Sequence, residues 1–253
     1  MTAKRIKDGH AGMTLLELLI AMSLTAVLLL GLVQLVTAAG SATQLQDNQA
    51  SLQDRERYLA NLFFAAAANA AYSPEPWNQA QARSAIAQET ADGVSANGDR
   101  LVLSTWSDLN CFDNRNPVLD TEGRPRFFIR ETTFELNSSD HLALTCRYGP
   151  SDSELVTQIR RQGLVPGVES FQCLFGEDSD ADGNVDRWVK AGRWQGPQKV
   201  MGVRIGLLVA GDDAVSTARM KNYRVLDSTL EGRPDGKLRQ VIDLTLAIRS
   251  QSG

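Results

Sequence analysis

The sequence of 253 residues predicts an α+β protein, in which a long N-terminal α-helix, half of it transmembrane, packs on a mostly antiparallel β-sheet head. Two features predict this class. A nearly uninterrupted apolar segment over residues 15–39 continues as a helix with heptad spacing, and short alternating runs follow Pro76. The composition, with 43% hydrophobic and 22% charged residues, is typical of a folded chain and excludes wholesale disorder.

The apolar segment is long enough to cross a bilayer as a helix. Its 25 residues exceed the roughly 20 that span a hydrocarbon core, and only two polar side chains, Ser23 and Thr25, interrupt its central part. Lys4, Arg5 and Lys7 precede it, which predicts a cytoplasmic N-terminus with the rest of the chain on the outer side of the membrane. A cleaved secretory signal is the alternative, but its apolar core has only about 7–15 residues and closes with a small-x-small site.

The helix is predicted to continue beyond the membrane with an amphipathic pattern. Leu45, Leu52 and Leu59 recur every seven residues, and further apolar residues at three- and four-residue steps extend this stripe. Charged and amide side chains fill the opposite face, and Pro74 ends the pattern. The alternative is two separate helices with a break near Gly40, since glycine is a poor helix former.

After the helix, short alternating runs separated by turn residues predict an antiparallel sheet. The Asn-Ser-Ser-Asp sequence at residues 137–140 predicts the turn of a hairpin. The segment 78–97, rich in alanine, glutamine and serine, is expected to be a loop or a partly helical connection. The strands are predicted at residues 101–103, 127–136, 142–148, 168–175, 203–209, 223–226 and 240–248.

Glu17 is an acidic residue close to the start of the apolar segment. A carboxylate in the middle of a bilayer costs about 2.5–3.5 kcal/mol, so such groups usually have a partner. Two explanations are open. Glu17 lies near the cytoplasmic interface and is solvated there, or it pairs with a cation that exists only after the chain is processed.

The N-terminus resembles the class III signal of type IV pilins and pseudopilins: a basic leader, Gly12, the sequence MTLLE at residues 13–17 and a long apolar helix. In this family a prepilin peptidase cuts after the glycine and methylates the new amine, which implies an N-methylated Met13. Met13 departs from the phenylalanine usual in the family, although other apolar residues occur there. The resemblance also implies that the Glu17 carboxylate neutralises the N-terminal ammonium of a neighbouring subunit during assembly.

The same resemblance implies a pilin fold with four segments. These are the leader at residues 1–12, a transmembrane and assembly half-helix at 13–40, an amphipathic half-helix at 41–73 and a β-rich head at 74–253. Before assembly we expect a single pass through the inner membrane, with the head in the periplasm. After assembly we expect the subunit in a pilus at the cell surface.

The cysteines are consistent with an oxidising compartment. Cys111 is predicted in a loop and Cys146 at the end of the predicted hairpin, and a disulfide between them would add roughly 2–4 kcal/mol of stability. Three cysteines allow three single bridges, and Cys111–Cys146 is the pairing we favour. Cys173 alternates with Phe171 and Phe175, which favours a buried small hydrophobic residue.

An acidic segment begins at residue 178 with the pattern of a calcium loop. Carboxylates occupy positions 1, 3 and 5, Gly183 occupies the sharp turn at position 6, and an asparagine carbonyl and a late aspartate follow at positions 7 and 9. Position 12 is Val189, so the segment resembles the shorter calcium loops of extracellular and pilus-associated proteins, not a full EF-hand. The alternative is a solvated acidic turn. The predicted Ca²⁺ ligands are Asp178, Asp180, Asp182, Asn184 and Asp186.

Several segments of the head resemble the PilW-type minor pilins, among them residues 167–171, 186–188, 203–205 and 238–249. This resemblance implies a low-abundance subunit that joins other minor pilins and the major pilin, primes pilus assembly and sits in the tip complex. Such a subunit supports twitching motility, adhesion or DNA uptake, and a tip adhesin is a further possible partner.

Two other functions are weighed against this one. A minor pseudopilin of a type II secretion system shares the N-terminal signal, and a membrane-anchored periplasmic enzyme is the third possibility. We do not expect an enzyme, because His141 stands without a recognisable nucleophile motif and only two histidines exist. We also expect no direct nucleic-acid binding, because the sequence pI is near 5.3 and phosphate contacts need clustered basic residues.

Overall fold

The computed structural model describes residues 14–78, 82–95, 98–215 and 221–248. These residues contain one long α-helix, α1 (Leu15–Asn69), which runs through Gly40 without a break, so the alternative of two helices is wrong. They also contain eleven strands, and the α+β class is confirmed. The strands are β1 (Ala91–Ser95), β2 (Gly98–Ser107), β3 (Phe128–Leu136), β4 (His141–Gly149), β5 (Val156–Pro166), β6 (Val168–Glu177), β7 (Arg187–Val189), β8 (Val200–Ala214), β9 (Asn222–Val225), β10 (Ser228–Glu231) and β11 (Lys237–Ala247).

The chain divides into two compact units, Met1–Asp47 and Asn48–Gly253. In the first unit, the apolar side chains of α1 from Leu15 to Val36 are exposed, as a lipid-facing helix requires. Among the described residues, α1 is long and apolar enough to cross a membrane. The predicted segment boundaries at residues 12, 40 and 73 concern processing and the bilayer, and they stay predictions.

The second unit, which we call the sheet unit, is built on one large mixed sheet. Its central path has the order β11-β8-β6-β2-β3-β4-β5, with β1 paired to β2 and β7 paired to β6. The pairs are antiparallel except for β2 and β6, which run parallel where Gly98 lies opposite Phe171. The hairpin of β9 and β10 forms a separate two-stranded sheet, whereas the sequence placed residues 223–226 in the main set.

One face of the main sheet is covered by the part of α1 that belongs to the sheet unit. The heptad residues Leu52 and Leu59 are buried in the main core together with Phe63. The Phe63 ring lies 5.0 Å from that of Phe134 and 5.9 Å from that of Phe171, measured between ring centroids. The amphipathic stripe predicted from the sequence is therefore the stripe that closes the core.

Four strands were not predicted, and each lacks a clear local pattern. β7 has three residues and β10 has four, and β5 carries Arg161 and Gly163 where the alternation from Ile159 to Val165 would require apolar residues. The prediction for segment 78–97 needs correction, because its described residues contain no helix and include β1. In that segment Ile86 is fully buried and forms an isolated bridge to Leu103.

We predict that Phe63→Ala lowers the free energy of unfolding by about 3–5 kcal/mol, because it removes a buried ring that contacts two others. The measurement is urea unfolding of the purified full chain in detergent, followed by tryptophan fluorescence. Phe64→Ala is the matched control, since Phe64 follows on the same helix but is 51% exposed. Equal losses for the two variants would contradict this account of the core.

Candidate functional site

The two predicted processing residues, Gly12 and Met13, lie outside the described residues. Thr14, the first described residue, caps the N-terminus of α1. The Glu17 backbone N–H donates to Thr14 Oγ1 at 3.2 Å, and the Thr14 N–H donates back to Glu17 Oε2 at 3.2 Å. This reciprocal pair is a capping box, and Thr14-x-x-Glu17 is its sequence signature.

The two polar side chains in the central part of the apolar segment are satisfied within the helix. Ser23 Oγ donates to the Ile20 carbonyl at 2.8 Å, and Thr25 Oγ1 donates to the Ala21 carbonyl at 2.7 Å. Hydroxyl groups bonded in this way need no water, so they are compatible with a hydrocarbon environment.

The acidic loop of residues 178–186 is held at its base by an ion pair between the buried Glu177 and the half-exposed Arg187. Glu177 is fully buried at the end of β6, and its Oε2 accepts bonds from Arg187 Nε at 2.9 Å and Nη2 at 2.8 Å. Its other oxygen, Oε1, accepts the backbone N–H of Gln195. Because Glu177 and Arg187 also pair directly across β6 and β7, the two ends of the loop are fixed together.

The loop itself turns back on its first carboxylate. The buried Asp178 accepts the Ala181 N–H at 2.6 Å through Oδ1 and the Gly183 N–H at 2.9 Å through Oδ2. Gly183 has φ +87°, a conformation that glycine adopts without strain, which explains the glycine at position 6. These bonds wrap the backbone around the carboxylate of Asp178.

Three of the predicted ligands come together. Each of Asp178, Asp180 and Asp186 offers an oxygen, and these oxygens all lie within 4.8 Å of one another. The carboxylate of Asp182 turns instead towards Asn184, whose N–H donates to it at 2.8 Å. The structure does not bring Asp182 and Asn184 into the group of three, and their roles as ligands stay predictions.

Two side chains donate hydrogen bonds in the acidic loop, and one of them is a cation. Hydrogen bonds from Ser179 lower the pKa of the Asp186 carboxyl, so this group is ionised at neutral pH. Lys199 Nζ donates to the Ser179 carbonyl at 2.8 Å, which places an ammonium at the side of the loop. Sequence reasoning missed Lys199, because it lies far from the acidic motif in the chain and reaches it through the fold.

The predicted disulfide between Cys111 and Cys146 is confirmed. It joins the segment after β2 to strand β4 and packs with Tyr148 and Phe128 in a small apolar cluster. Cys173 is buried and free, and burial raises the pKa of its thiol well above the usual range, which makes it unreactive.

His141 has a structural environment at the start of β4. Its ring Nδ1 lies 2.7 Å from the Ser139 carbonyl, and its backbone N–H donates to Asn137 Oδ1 at 3.0 Å. Both partners belong to the predicted hairpin turn. These contacts explain the histidine as a turn-closing residue.

Buried ion pairs elsewhere hold the sheet unit together, and the sequence pattern did not indicate them. The side chain of Arg239 is 2% exposed and donates to Glu169 and to Asp235, and these bonds hold the pKa of Asp235 at about 2. Glu131 is buried between Arg83 and Arg147 in the same way. A pair such as Glu169 and Arg239 is separated by 70 residues, so no local signal reveals it.

Two family models match the chain. Residues 126–250 match the family described as type IV pilus-assembly protein W, and residues 7–33 match the prokaryotic N-terminal methylation motif. The first match contains strands β3 to β11 with the acidic loop, and the second contains the start of α1. Comparison with curated proteins and with solved structures gives no match.

Proposed function

We propose that the chain, which is a type IV pilin-like protein of the PilW type, is a minor pilin that helps to prime pilus assembly and sits in the tip complex. One observation carries the proposal: the methylation motif and the pilus-assembly match lie on one chain. Pilins of these families are structural subunits, and nothing in the site argues for catalysis. In the tip, the subunit would support twitching motility, adhesion or DNA uptake.

The membrane and partner assignments follow from this role. The exposed apolar part of α1 suits an inner-membrane anchor before assembly, with the sheet unit in the periplasm and later at the cell surface. Prepilin peptidase would cut after Gly12, and other minor pilins, the major pilin and a tip adhesin would be partners. A minor pseudopilin of a type II secretion system is the alternative, because it shares the N-terminal motif.

The experiment is deletion of the gene, with surface pili and secreted enzymes scored in the same cultures. We predict that pili are lost or sharply reduced while secretion is normal, and that a plasmid copy restores the pili. Normal pili together with failed secretion would assign the chain to a secretion pseudopilus. Normal pili and normal secretion would contradict both assignments.

We also propose that the Glu17 carboxylate pairs with the N-terminal ammonium of a neighbouring subunit. The capping box gives Glu17 a second role, because it satisfies the Thr14 N–H at the first turn of α1. The two roles are separable by mutation. Glutamine at this position keeps the capping bond but removes the charge, and alanine removes both.

We predict that Glu17→Gln and Glu17→Ala are both cleaved by prepilin peptidase but are both poorly incorporated into pili. The physical reason is that neither variant neutralises the ammonium of its neighbour. The measurement compares the subunit in sheared pili with that in the membrane, and a mobility shift reports cleavage. Thr14→Ala is the matched control, since it weakens the cap and keeps the charge. Normal incorporation of Glu17→Gln would show that capping alone explains Glu17.

We further propose that the acidic loop binds Ca²⁺. The converging oxygens of Asp178, Asp180 and Asp186 are hard ligands, and three carboxylates this close repel one another unless a cation lies between them. The ion pair of Glu177 and Arg187 fixes the base of the loop, so the loop loses less conformational freedom when it binds the cation.

We predict that Ca²⁺ raises the melting temperature of the purified full chain in detergent after treatment with a chelator. At a hundred times its Kd, a ligand that binds only the folded state raises the free energy of unfolding by about 2.7 kcal/mol. Mg²⁺ should raise it less, because it demands a stricter coordination geometry. Asp180→Ala should abolish the shift. Glu122→Ala, which removes an exposed carboxylate outside the loop, should retain it. Absence of a shift at millimolar Ca²⁺ would sink the proposal.

A further inference from the structure

Strand β11 is one edge of the main sheet. Half of its backbone N–H and C=O groups point outward, away from its neighbour β8. It pairs with β8 in unbroken register from Arg239 to Ala247. The Ile248 N–H donates to the Met201 carbonyl at 2.8 Å, which continues this ladder by one residue. Because bonded and non-bonded pairs alternate in an antiparallel ladder, the even-numbered residues of β11 bond to β8.

The odd-numbered residues of β11 therefore direct their N–H and C=O groups towards the free edge. The next pair of strands agrees with this parity, since the Ala210 N–H of β8 donates to Gly167 on the β6 side at 2.8 Å. The described residues provide β11 with no strand partner other than β8. The residues with outward groups are Val241, Asp243, Thr245 and Ala247.

The opposite edge of the sheet, β5, is built differently. Its pairing with β4 shifts register at three places, and Arg161 adopts a left-handed conformation with φ +44°. Arg160 and Arg161 are exposed on it, and Pro166 ends it. Bulges, arginines and proline are the devices by which proteins prevent the pairing of an edge. β11 has neither an interior bulge beyond Arg239 nor a proline, and no other strand of the described residues covers its outer edge.

The side chains of β11 indicate what such a strand must carry. On one face Ile242 and Leu246 are buried and Leu244 is partly buried, so the apolar layer of the core reaches the edge. On the other face Asp243 is exposed and has no ion pair among the described side chains. Partial burial of the Asp243 carboxyl raises its pKa. A nearby cation would lower the pKa again, because it favours the charged form.

We propose that the free edge of β11 receives an extended strand from another pilus subunit, which continues the sheet and places a lysine or arginine beside Asp243. The added strand pairs with the outward groups of residues 241–247 and covers Leu244 with its own apolar residues. This inference rests on the proposed function as an assembly subunit. It names the surface of that assembly and the kind of segment that binds there.

The experiment places the photo-crosslinking residue benzoylphenylalanine at Thr245 of the full chain, in cells that assemble pili. In the control, the same photo-crosslinking residue replaces Gln162, which is exposed on the opposite edge strand β5. We expect Thr245 to give an adduct with a different pilin-type subunit, mapped by mass spectrometry to a segment of alternating apolar and polar residues. We expect Gln162 to give no such adduct.

A charge change tests the recognition. Asp243→Lys should abolish the adduct by repelling the basic residue of the partner, whereas Glu231→Lys, the same change on β10 away from the edge, should leave it intact. Formation of the Cys111–Cys146 disulfide reports that each variant has folded.

Four outcomes would overturn the proposal: no protein adduct at Thr245, an equal adduct at Gln162, an adduct with a second copy of this chain, or a cross-linked partner segment that is helical. The deletion experiment separates this failure from that of the proposed function. If deletion removes pili but Thr245 gives no adduct, the strand pairing alone is wrong. If deletion leaves pili intact, the proposed function is wrong.

Discussion

The packing of Phe63 against Phe134 and Phe171 is the contact on which the sheet unit depends. A sheet with one apolar face needs a second layer, and the residues of α1 from Leu52 to Ala67 supply it. The same helix continues towards the N-terminus as the apolar segment. One element therefore closes the core near its C-terminal end and overlaps the N-terminal methylation motif at its start.

Buried charges complete what the aromatic core begins. Glu177, Glu131 and Arg239 are nearly inaccessible, and each bonds to side chains of opposite charge. Glu131 and Arg239 find theirs in distant parts of the chain, and Glu177 bonds to Arg187 across the acidic loop. Removing one partner from a pair of this kind is costly, because it leaves the other charge buried and alone. At Glu177 the pair also fixes the ends of the acidic loop, so the architecture of the sheet positions the three carboxylates.

The sequence predicted the parts of the structure that have a local period. The leucine repeat of α1 and the alternation in β8 were both confirmed. The disulfide between Cys111 and Cys146, which has no local period, was also confirmed. The capping residue Thr14 was readable from its spacing to Glu17 but was not recognised. β5 could not be predicted because its arginines break the alternation, and the arginines are there because it is an edge. Long-range ion pairs left no local pattern at all.

The disulfide determines how the chain responds to a pull on its two ends. Cys111 and Cys146 are 35 residues apart, and β3 with most of β4 lies between them. A pull on the two ends of the chain passes through the sulfur bridge and bypasses this stretch. Roughly 120 Å of contour length, at about 3.4 Å per extended residue, is thereby withheld from extension. However far the rest of the chain is extended, residues 111–146 stay a closed covalent loop that contains β3.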